Sequence, residues 1–398
     1  PAAAVAESSG HAKPAAVKLL LALTSLSLMA ASPPPLPNGA MIERLAKKAM
    51  RDTGSQGLAI ALINNGQVQS VQAFGKRNSK GEPLTDSTVM YGASLTKATF
   101  GYLVMQLVDE GKVDLDKPIV SLLPKPLKAY GRYDDNHVGD WADISDDPRS
   151  ATMTPRMALN HSTGFANFSF MEPDQKLRIH FQPGTRYSYS GDGIMLLQFA
   201  LEKGLGIDIE AEMRRRFFEP LGMTRTSLKW RPDFATDLAD GWQADGRVIA
   251  HDHRDNVRAA GSMDTTISDY ARFAAMMVRG DGLSKRAAAQ RIRPDLLIDT
   301  IQEFPTLAPP APKAKRIPGL AAGMGIITFT GPQGPGWEKG GHDDQTANSL
   351  VCINRSKRCV LILSNDVRTE AAFDPLVRSI LGETGVPYRW IFHGQYGF

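Results

Sequence analysis

Strand patterns stand at both ends of this chain, with helical patterns between them. Residues 57–71 hold two apolar runs around Asn65–Gly66, a dipeptide that favours the type I′ turn of a β-hairpin. Further apolar runs of strand length lie at 324–329, 349–353 and 359–363. Since a lone hairpin is barely stable, we expect both ends to contribute to one sheet. The predicted fold class is α/β, with an antiparallel sheet built from both termini, flanking helices and an inserted, mainly helical domain.

A helical pattern follows the first strands, at residues 94–110. Apolar side chains recur three and four residues apart from Phe100 to Val108, which places them on one face of a helix that ends at Gly111. Shorter helical patterns lie at 194–200, 268–278 and 376–381. Most of the predicted helix therefore falls between the two groups of strands.

The patterns divide the chain into three parts. Residues 1–40 are predicted to be a signal peptide and Pro-rich linker, 41–93 with 262–398 the sheet domain, and 94–261 the helical domain. The apolar run Leu19–Ala31, behind two lysines, is too short for a bilayer of about 30 Å and is typical of a secretory leader. An N-terminal anchor or buried helix is the alternative. We expect a periplasmic or secreted protein without a transmembrane anchor in the mature chain.

The two cysteines, Cys352 and Cys359, lie in apolar runs around a polar centre. With Arg355–Ser356 as a two-residue turn, they face each other across a hairpin. Opposite Cβ atoms in a sheet are about 4.5–5.5 Å apart, near the distance that a disulfide spans. An oxidising compartment would favour the disulfide, and two buried thiols are the alternative.

Composition excludes several functional classes. The net charge is +4 over 398 residues and no basic run is interleaved with aromatics, so we expect no nucleic-acid partner. Two cysteines are too few for a cysteine-rich zinc or iron–sulfur site. His251–His253 and the acidic loop Asp134–Asp147 resemble metal sites in composition alone, so we predict no metal and no cofactor. His161 is predicted to be structural and Trp337 to pack beside the functional site.

Ser94 is followed three residues later by Lys97, at the start of the clearest helical pattern. Residues three apart share a helix face, so the Lys97 ammonium can reach the Ser94 hydroxyl. A serine needs a base to become a nucleophile, and a buried lysine of lowered pKa can be that base. The alternative is a surface serine that caps the helix. Gly92–Thr96 lacks the second glycine of a G-x-S-x-G elbow, which argues against an α/β-hydrolase.

Two further segments follow in order, Tyr189–Ser190–Gly191 and Lys339–Gly340–Gly341. With Ser94 and Lys97 they make the sequence similar to the serine β-lactamase and penicillin-binding-protein superfamily. The resemblance is strongest to its class C, family VIII esterase and D-alanyl-peptidase branch, whose motifs are S-x-x-K, Y-x-N and K-T-G or H-x-G. Four supporting segments appear in the family's order: Asp109–Asp116, Leu159–Gly164, Pro220–Met223 and Ala260–Ser262. The resemblance implies a β-lactamase-like fold.

The resemblance also implies a role for each motif residue. Ser94 would attack a carbonyl and form an acyl-enzyme, while Lys97 takes its proton. Tyr189 would be the coupled base that relays a proton to the leaving group. The backbone N–H groups of Ser94 and His342 would form the oxyanion hole, and Lys339 would hold a substrate carboxylate or tune Tyr189.

Two glycines depart from the family's motifs, and Gly341 matches them. Gly191 stands where the family has an asparagine that contacts the substrate, and Gly340 stands where it has a hydroxyl-bearing residue. These losses favour an exported carboxylesterase-like or D-alanyl-peptidase-like hydrolase, acting on a small-molecule ester, amide or D-alanyl peptide. The alternatives are a class C-type β-lactamase, a non-catalytic penicillin-binding sensor, or an envelope scaffold with vestigial motifs. Either glycine is alternatively a neutral change that is compensated elsewhere.

Overall fold

The computed structural model of the chain describes residues 34–130 and 139–395, together with residue 4. The predicted leader at 19–31 lies outside the described residues, as do Asp134 and Asp135 of the acidic loop. Within the described ranges, no helix combines the length and apolar character that crossing a membrane requires.

One large sheet organises the described chain. Its strands and those of two small ribbons are β1 (Gly57–Asn64), β2 (Gln67–Gly75), β3 (Met90–Tyr91), β4 (Gly241–Trp242), β5 (Val248–Ile249), β6 (Asp264–Thr265), β7 (Leu296–Leu297), β8 (Ala321–Ala322), β9 (Ile327–Gly331), β10 (Gly334–His342), β11 (Ala347–Ile353) and β12 (Arg358–Ser364). The eight-stranded sheet has the order β2-β1-β12-β11-β10-β9-β8-β7, with antiparallel neighbours throughout. Leu58 of β1 lies opposite Ser364 of β12. The prediction of one antiparallel sheet built from both ends of the chain is confirmed.

Helices cover both faces of this sheet. They are α1 (Gly39–Thr53), α2 (Leu95–Asp109), α3 (Pro155–Leu159), α4 (Gly191–Leu205), α5 (Ile209–Met213), α6 (Ile267–Arg279), α7 (Lys285–Ile292), α8 (Phe373–Leu381) and α9 (Tyr388–Ile391). Alternate side chains of β1 enter two different cores. The side chains of Ala59, Ala61 and Ile63 pack with α2, α4 and α6. Those of Leu58, Ile60 and Leu62 point to the other face and pack with α1, α8 and α9. A strand covered on both faces is apolar throughout, which explains the continuous run in the sequence.

Helix α2 is buried all round, so the prediction of a single apolar face was wrong. Every residue from Leu95 to Leu107 is buried. The helix lies between the sheet and the helical region, and both sides need apolar contacts. A Cβ on Gly101 would approach the carbonyl oxygen of Met324 to 2.9 Å, which shows how closely the chain from 323–326 crosses it.

The crossing at 323–326 shifts the start of one predicted strand. The pattern at 324–329 forms β9 only from Ile327, because Gly325 has a left-handed backbone, φ 77°, where the chain passes α2. The predicted motif Lys339–Gly340–Gly341 lies inside β10. Helix α1 was not predicted; the Asn38 side chain caps it by accepting from the Met41 N–H at 3.0 Å.

Both predicted hairpins form. Asn65 and Gly66 have φ values of 50° and 73°, as a type I′ turn requires. Cys352 lies opposite Cys359, in the predicted register, and the two are joined as a disulfide with their Cα atoms 4.1 Å apart.

Residues 34–130 and 139–395 belong to one compact unit. The core that contains α2, α4 and α6 also contains alternate side chains of β1, β11 and β12, so the sheet and helical regions share packing. The predicted limits between these regions, at 93/94 and 261/262, stay a prediction.

The disulfide can be tested by mass. If Cys352 and Cys359 are bridged, an alkylating reagent will add nothing to the unfolded chain until a reductant is present, and two groups afterwards. We expect the Cys352→Ala, Cys359→Ala double variant to lose about 2 kcal/mol of unfolding free energy, since the bridge closes a short loop. Alkylation of both cysteines without reductant would contradict the bridge.

Candidate active site

Ser94 lies in the turn that joins β3 to α2. The preceding Ala93 has a left-handed backbone, φ 47°. The Gly92 N–H donates to the carbonyl of Met263 at 2.8 Å, which ties the turn to the segment that carries β6. Ser94 stands at the N-cap position of α2, but its hydroxyl caps no backbone N–H there. The hydroxyl is therefore available to the side chains around it.

Lys97 directs its ammonium at that hydroxyl. Lys97 Nζ lies 3.0 Å from Ser94 Oγ and also donates to the carbonyl of Ala260. The lysine is only 1% exposed. Burial lowers the pKa of Lys97, and the charge of Lys339 adds to this, while Tyr189 opposes it. The net shift favours the neutral amine that a general base requires.

Tyr189 lies beside both lysines. Lys97 Nζ is 4.9 Å and Lys339 Nζ 5.2 Å from the centre of its ring. Burial acts to raise the pKa of Tyr189, but the ammonium charges of Lys339 and Lys97 outweigh it, and the net pKa is lowered. The phenol therefore releases its proton more readily than an ordinary tyrosine.

His161 contacts Tyr189 directly, a role that sequence reasoning missed. The two rings stack at 4.4 Å with an angle of 29°. His161 Nδ1 accepts from the Ser190 N–H at 3.2 Å. Burial, with the charges of Lys97 and Lys339, lowers the pKa of His161 well below its usual value, so the ring is neutral at pH 7. The available signal was the position of this histidine inside the supporting segment 159–164.

The third motif lies on β10 where the strand loses one neighbour. In the described chain, β9 pairs with β10 only as far as Glu338, whereas β11 pairs with it through His342. Lys339 Nζ donates to the carbonyl of Gly340 at 2.8 Å. A Cβ on Gly341 would lie 2.5 Å from the carbonyl oxygen of Gly92 and 3.0 Å from Ser94 N. Only glycine therefore lets β10 approach the start of α2 so closely.

The two glycine departures have different surroundings. Gly191 begins α4, and its N–H donates to the carbonyl of Asn167 at 2.8 Å. The ring of Phe168 occupies the space where a side chain at 191 would start. A Cβ on Gly340 would instead meet the flexible end of Glu338, at 3.1 Å. A small side chain thus fits at 340 after a slight shift, but Phe168 excludes one at 191.

A narrow recess beside Ser94 contains buried glutamates that the sequence analysis did not find. Its space of about 20 Å³ is room for about one water molecule. Glu370 Oε1 lies 2.8 Å from His342 Nδ1, and Glu303 accepts from the Tyr187 hydroxyl at 2.7 Å. Burial raises the pKa of Glu338 to about 8. Isolated acids from distant segments leave no pattern in a sequence.

His342 keeps its proton readily. The His342 side chain is 38% exposed, and the desolvation that it still undergoes acts to lower its pKa, but the hydrogen bond and charge of Glu370 outweigh it, and the net pKa is raised. The imidazole borders both the recess and a wider cleft of about 530 Å³ in front of Ser94. That cleft is lined by aromatic rings, among them Phe168, Phe170 and Phe304, and by charged groups of other segments.

The other residues that the sequence singled out, His251, His253 and Trp337, lie outside the group of side chains around Ser94. His251 Nε2 is 3.0 Å from Asp264 Oδ1, whereas His253 stacks on Trp230 at 3.6 Å. Over residues 34–130 and 139–395, no group of three His, Cys, Asp or Glu side chains is arranged to hold a metal ion. Trp337 is buried, with the Arg291 guanidinium 4.8 Å from its ring.

Known proteins resemble this chain in sequence and in fold. A family model described as Beta-lactamase matches residues 42–381. The chain belongs to the β-lactamase family. Lovastatin esterase of Penicillium rubens is 26% identical to it over 284 residues, 61% of this chain and 69% of that protein. Monacolin J acid methylbutanoyltransferase of Aspergillus terreus is 26% identical over 243 residues, or 52% of this chain. That match spans 57% of the transferase, little more than half its length.

Two solved structures of the β-lactamase fold match over most of the chain. The octameric penicillin-binding protein homologue from Pyrococcus abyssi has a TM-score of 0.68 and 20% identity, covering 88% of this chain and 78% of that one. D-alanine carboxypeptidase AmpC from Burkholderia cenocepacia has a TM-score of 0.64 and 17% identity, covering 85% and 98%. Identities this low show the shared fold alone. The predicted β-lactamase-like fold is confirmed.

The electrostatic coupling in this β-lactamase-family protein predicts a spectroscopic change. Because the Lys339 charge is the largest influence that lowers the pKa of Tyr189, Lys339→Met should raise that pKa. The ultraviolet absorbance change on phenolate formation measures it, with Tyr189→Phe identifying the tyrosine. Lys112→Met removes a lysine that is 56% exposed and is the control. An unchanged or lower Tyr189 pKa in Lys339→Met would contradict the coupling.

Proposed function

We propose that this protein is a serine hydrolase that cleaves esters or amides through an acyl-enzyme on Ser94. The observation that carries the proposal is the 3.0 Å contact between Lys97 Nζ and Ser94 Oγ, with Tyr189 beside it. A hydroxyl, a buried amine of lowered pKa and a phenol of lowered pKa together make an activated nucleophile. Membership of the β-lactamase family supports the same class of reaction.

Acylation begins when Ser94 Oγ attacks the substrate carbonyl carbon while neutral Lys97 takes the hydroxyl proton. The bond to the leaving group then breaks, and Tyr189 passes a proton to the departing oxygen or nitrogen. We assign the oxyanion hole to the N–H groups of Ser94 and His342. The close approach of Gly341 to Ser94 N supports this assignment. Each such donor is worth about 3–4 kcal/mol in the transition state.

Deacylation consumes one water molecule. The water oxygen attacks the acyl carbon as Tyr189, which gave up its proton during acylation, accepts one from the water. The ester bond to Ser94 Oγ breaks, Lys97 returns to Ser94 the proton that it took, and the free acid leaves. The fixed charge of Lys339 either keeps the Tyr189 pKa low through this cycle or holds a carboxylate of the substrate.

Ester hydrolysis is the substrate class we favour. Gly191 and Gly340 offer no side chain to bind the amide or carboxylate of a β-lactam or D-alanyl peptide. The aromatic lining of the cleft, with Phe168 and Phe304, suits an apolar ester better. The similarity to lovastatin esterase supports an esterase, and the fold neighbour AmpC keeps a D-alanyl-peptidase as the second candidate.

We also propose that the protein is exported to an oxidising compartment. The basic and apolar sequence around Leu19–Ala31 supports export. The facing pair Cys352 and Cys359 supports it independently, because disulfides persist outside reducing compartments.

Labelling of Ser94 tests the nucleophile. We expect a fluorophosphonate to add one adduct to the wild type and none to Ser94→Ala, which should lose about 10⁴-fold or more of its esterase rate. Ser79→Ala, at an exposed serine, is the control that should keep both the adduct and the esterase rate. Nitrophenyl esters, nitrocefin and a D-alanyl dipeptide, assayed side by side, separate esterase, β-lactamase and peptidase. Labelling without turnover of any of them would indicate a penicillin-binding sensor, and an adduct on Ser94→Ala would exclude Ser94.

The pH profile tests Lys97 as the base. Because the base must be neutral and the pKa of Lys97 is lowered, the rate should rise with pH and level off below the ordinary lysine value of 10.5. Lys97→Arg should lose this rise and about 10²–10⁴-fold in rate, since a guanidinium stays protonated. Lys48→Arg, at a side chain 66% exposed, is the control. An intact pH profile in folded Lys97→Arg would remove Lys97 from the mechanism.

A further inference from the structure

The Phe168 ring lies where a side chain at position 191 would be. A Cβ built on Gly191 would be 2.2 Å from two atoms of this ring, Cε1 and Cζ. Such a distance is far inside van der Waals contact, so the ring and a side chain at 191 exclude each other. The Phe168 ring can occupy this position only because residue 191 is a glycine.

The backbone that carries the Phe168 ring is held by hydrogen bonds to the start of α4. The carbonyl of Asn167 accepts from the N–H groups of Gly191 and Asp192, at 2.8 and 3.0 Å. The Asp192 side chain accepts in return from the Ser169 N–H at 2.7 Å. The Ser190 hydroxyl donates to the carbonyl of Ala166 at 2.8 Å. Residues 166–169 are thus hydrogen-bonded to the first turn of α4, directly after Tyr189.

The Phe168 ring is part of an aromatic surface beside Ser94. Its ring stacks on Phe170 at 5.1 Å with an angle of 13°. Phe170 is 44% exposed, and both rings line the cleft that contains Ser94 and Tyr189. The Phe304 ring lies 5.1 Å from that of Tyr189. Exposed aromatic rings in a cleft are typical of a binding surface for apolar groups.

The charged groups of the cleft come from other segments. Arg254, Arg258 and Asp343 belong to the chain before β6 and to the turn after β10. Arg254 is already engaged, with its guanidinium 3.5 Å from the Tyr91 ring and 3.3 Å from Asp264. The segment around Phe168 therefore contributes apolar surface to the cleft, together with Phe304.

We propose that Phe168 and Phe170 form a platform that binds an apolar chain of the ester substrate, in place of a polar side chain at position 191. The proposal rests on the proposed function. The platform selects substrates by the length of their apolar chain, because each methylene laid on the rings removes apolar surface from water.

Two series of esters test the platform. One lengthens the acyl chain of a nitrophenyl ester from acetate to octanoate, and the other lengthens the alcohol of an alkyl acetate, with kcat/KM measured for each. We expect the wild type to prefer the longer chain in at least one series. The ratio of longest to shortest should fall by about tenfold or more in Phe168→Ala. Met171→Ala removes an apolar side chain that is 64% exposed in the same loop, and it should keep the wild-type ratio.

Fluorophosphonate labelling separates failure of the platform from failure of the proposed function. If Phe168→Ala is labelled at Ser94 and keeps the wild-type ratio, the platform is wrong and the hydrolase stands. A wild type that prefers the shortest chain in both series also overturns the platform. If the wild type is neither labelled nor active, the proposed function fails, and the platform fails with it.

A thermal double-mutant cycle tests the exclusion without any assay of activity. Gly191→Asn should lower Tm in the wild type, because the asparagine and the Phe168 ring compete for the same space. In the Phe168→Ala background the same change should cost less, since the ring is gone. Equal losses of Tm in the two backgrounds would mean that the Phe168 ring does not fill the space at position 191. That result would overturn the proposal that the ring takes the place of a side chain there.

Discussion

The start of α2 and strand β10 meet without a side chain between their backbones. Gly341 makes this possible, because a Cβ there would press on Gly92 and Ser94 and force helix and strand apart. The two elements come from distant parts of the chain, so the contact assembles one site from both. Ser94 and Lys97 at the start of the helix, and Lys339 on the strand, lie around Tyr189 in this arrangement.

The two buried lysines illustrate how one site holds two kinds of amine. Burial lowers the pKa of Lys97. Burial acts in the same direction on Lys339, but Tyr189 and the neighbouring acids Glu338 and Glu303 outweigh it, and its pKa is raised. Groups whose surroundings move their pKa values apart take different roles. One lysine is therefore suited to accept protons, and the other remains a cation.

Local patterns predicted the sheet, both hairpins, the register of the cysteine hairpin and the proximity of Ser94 and Lys97, whereas Tyr189 and Lys339 were predicted from the resemblance to a family. Apolar runs and an Asn-Gly turn report on strands, and the spacing of Ser94 and Lys97 follows from helix geometry. The ring of His161 on Tyr189 and the ring of Phe168 over Gly191 depend on long-range packing, which leaves no periodic signal. The all-round burial of α2 was missed for the same reason. Its second apolar face is explained by packing on both sides of the helix, from the sheet and from the helical region.

The position of β12 affects how the chain can fold. This strand fills the gap between β1 and β11, so residues near 360 complete a pairing that residues near 60 begin. Until the ribosome has made the residues near 360, one edge of the first hairpin has no native partner. Such a topology has high contact order, and it folds slowly with an unpaired strand exposed to other chains. The growing chain therefore has to be kept from aggregating until β12 has been synthesised and can pair with β1.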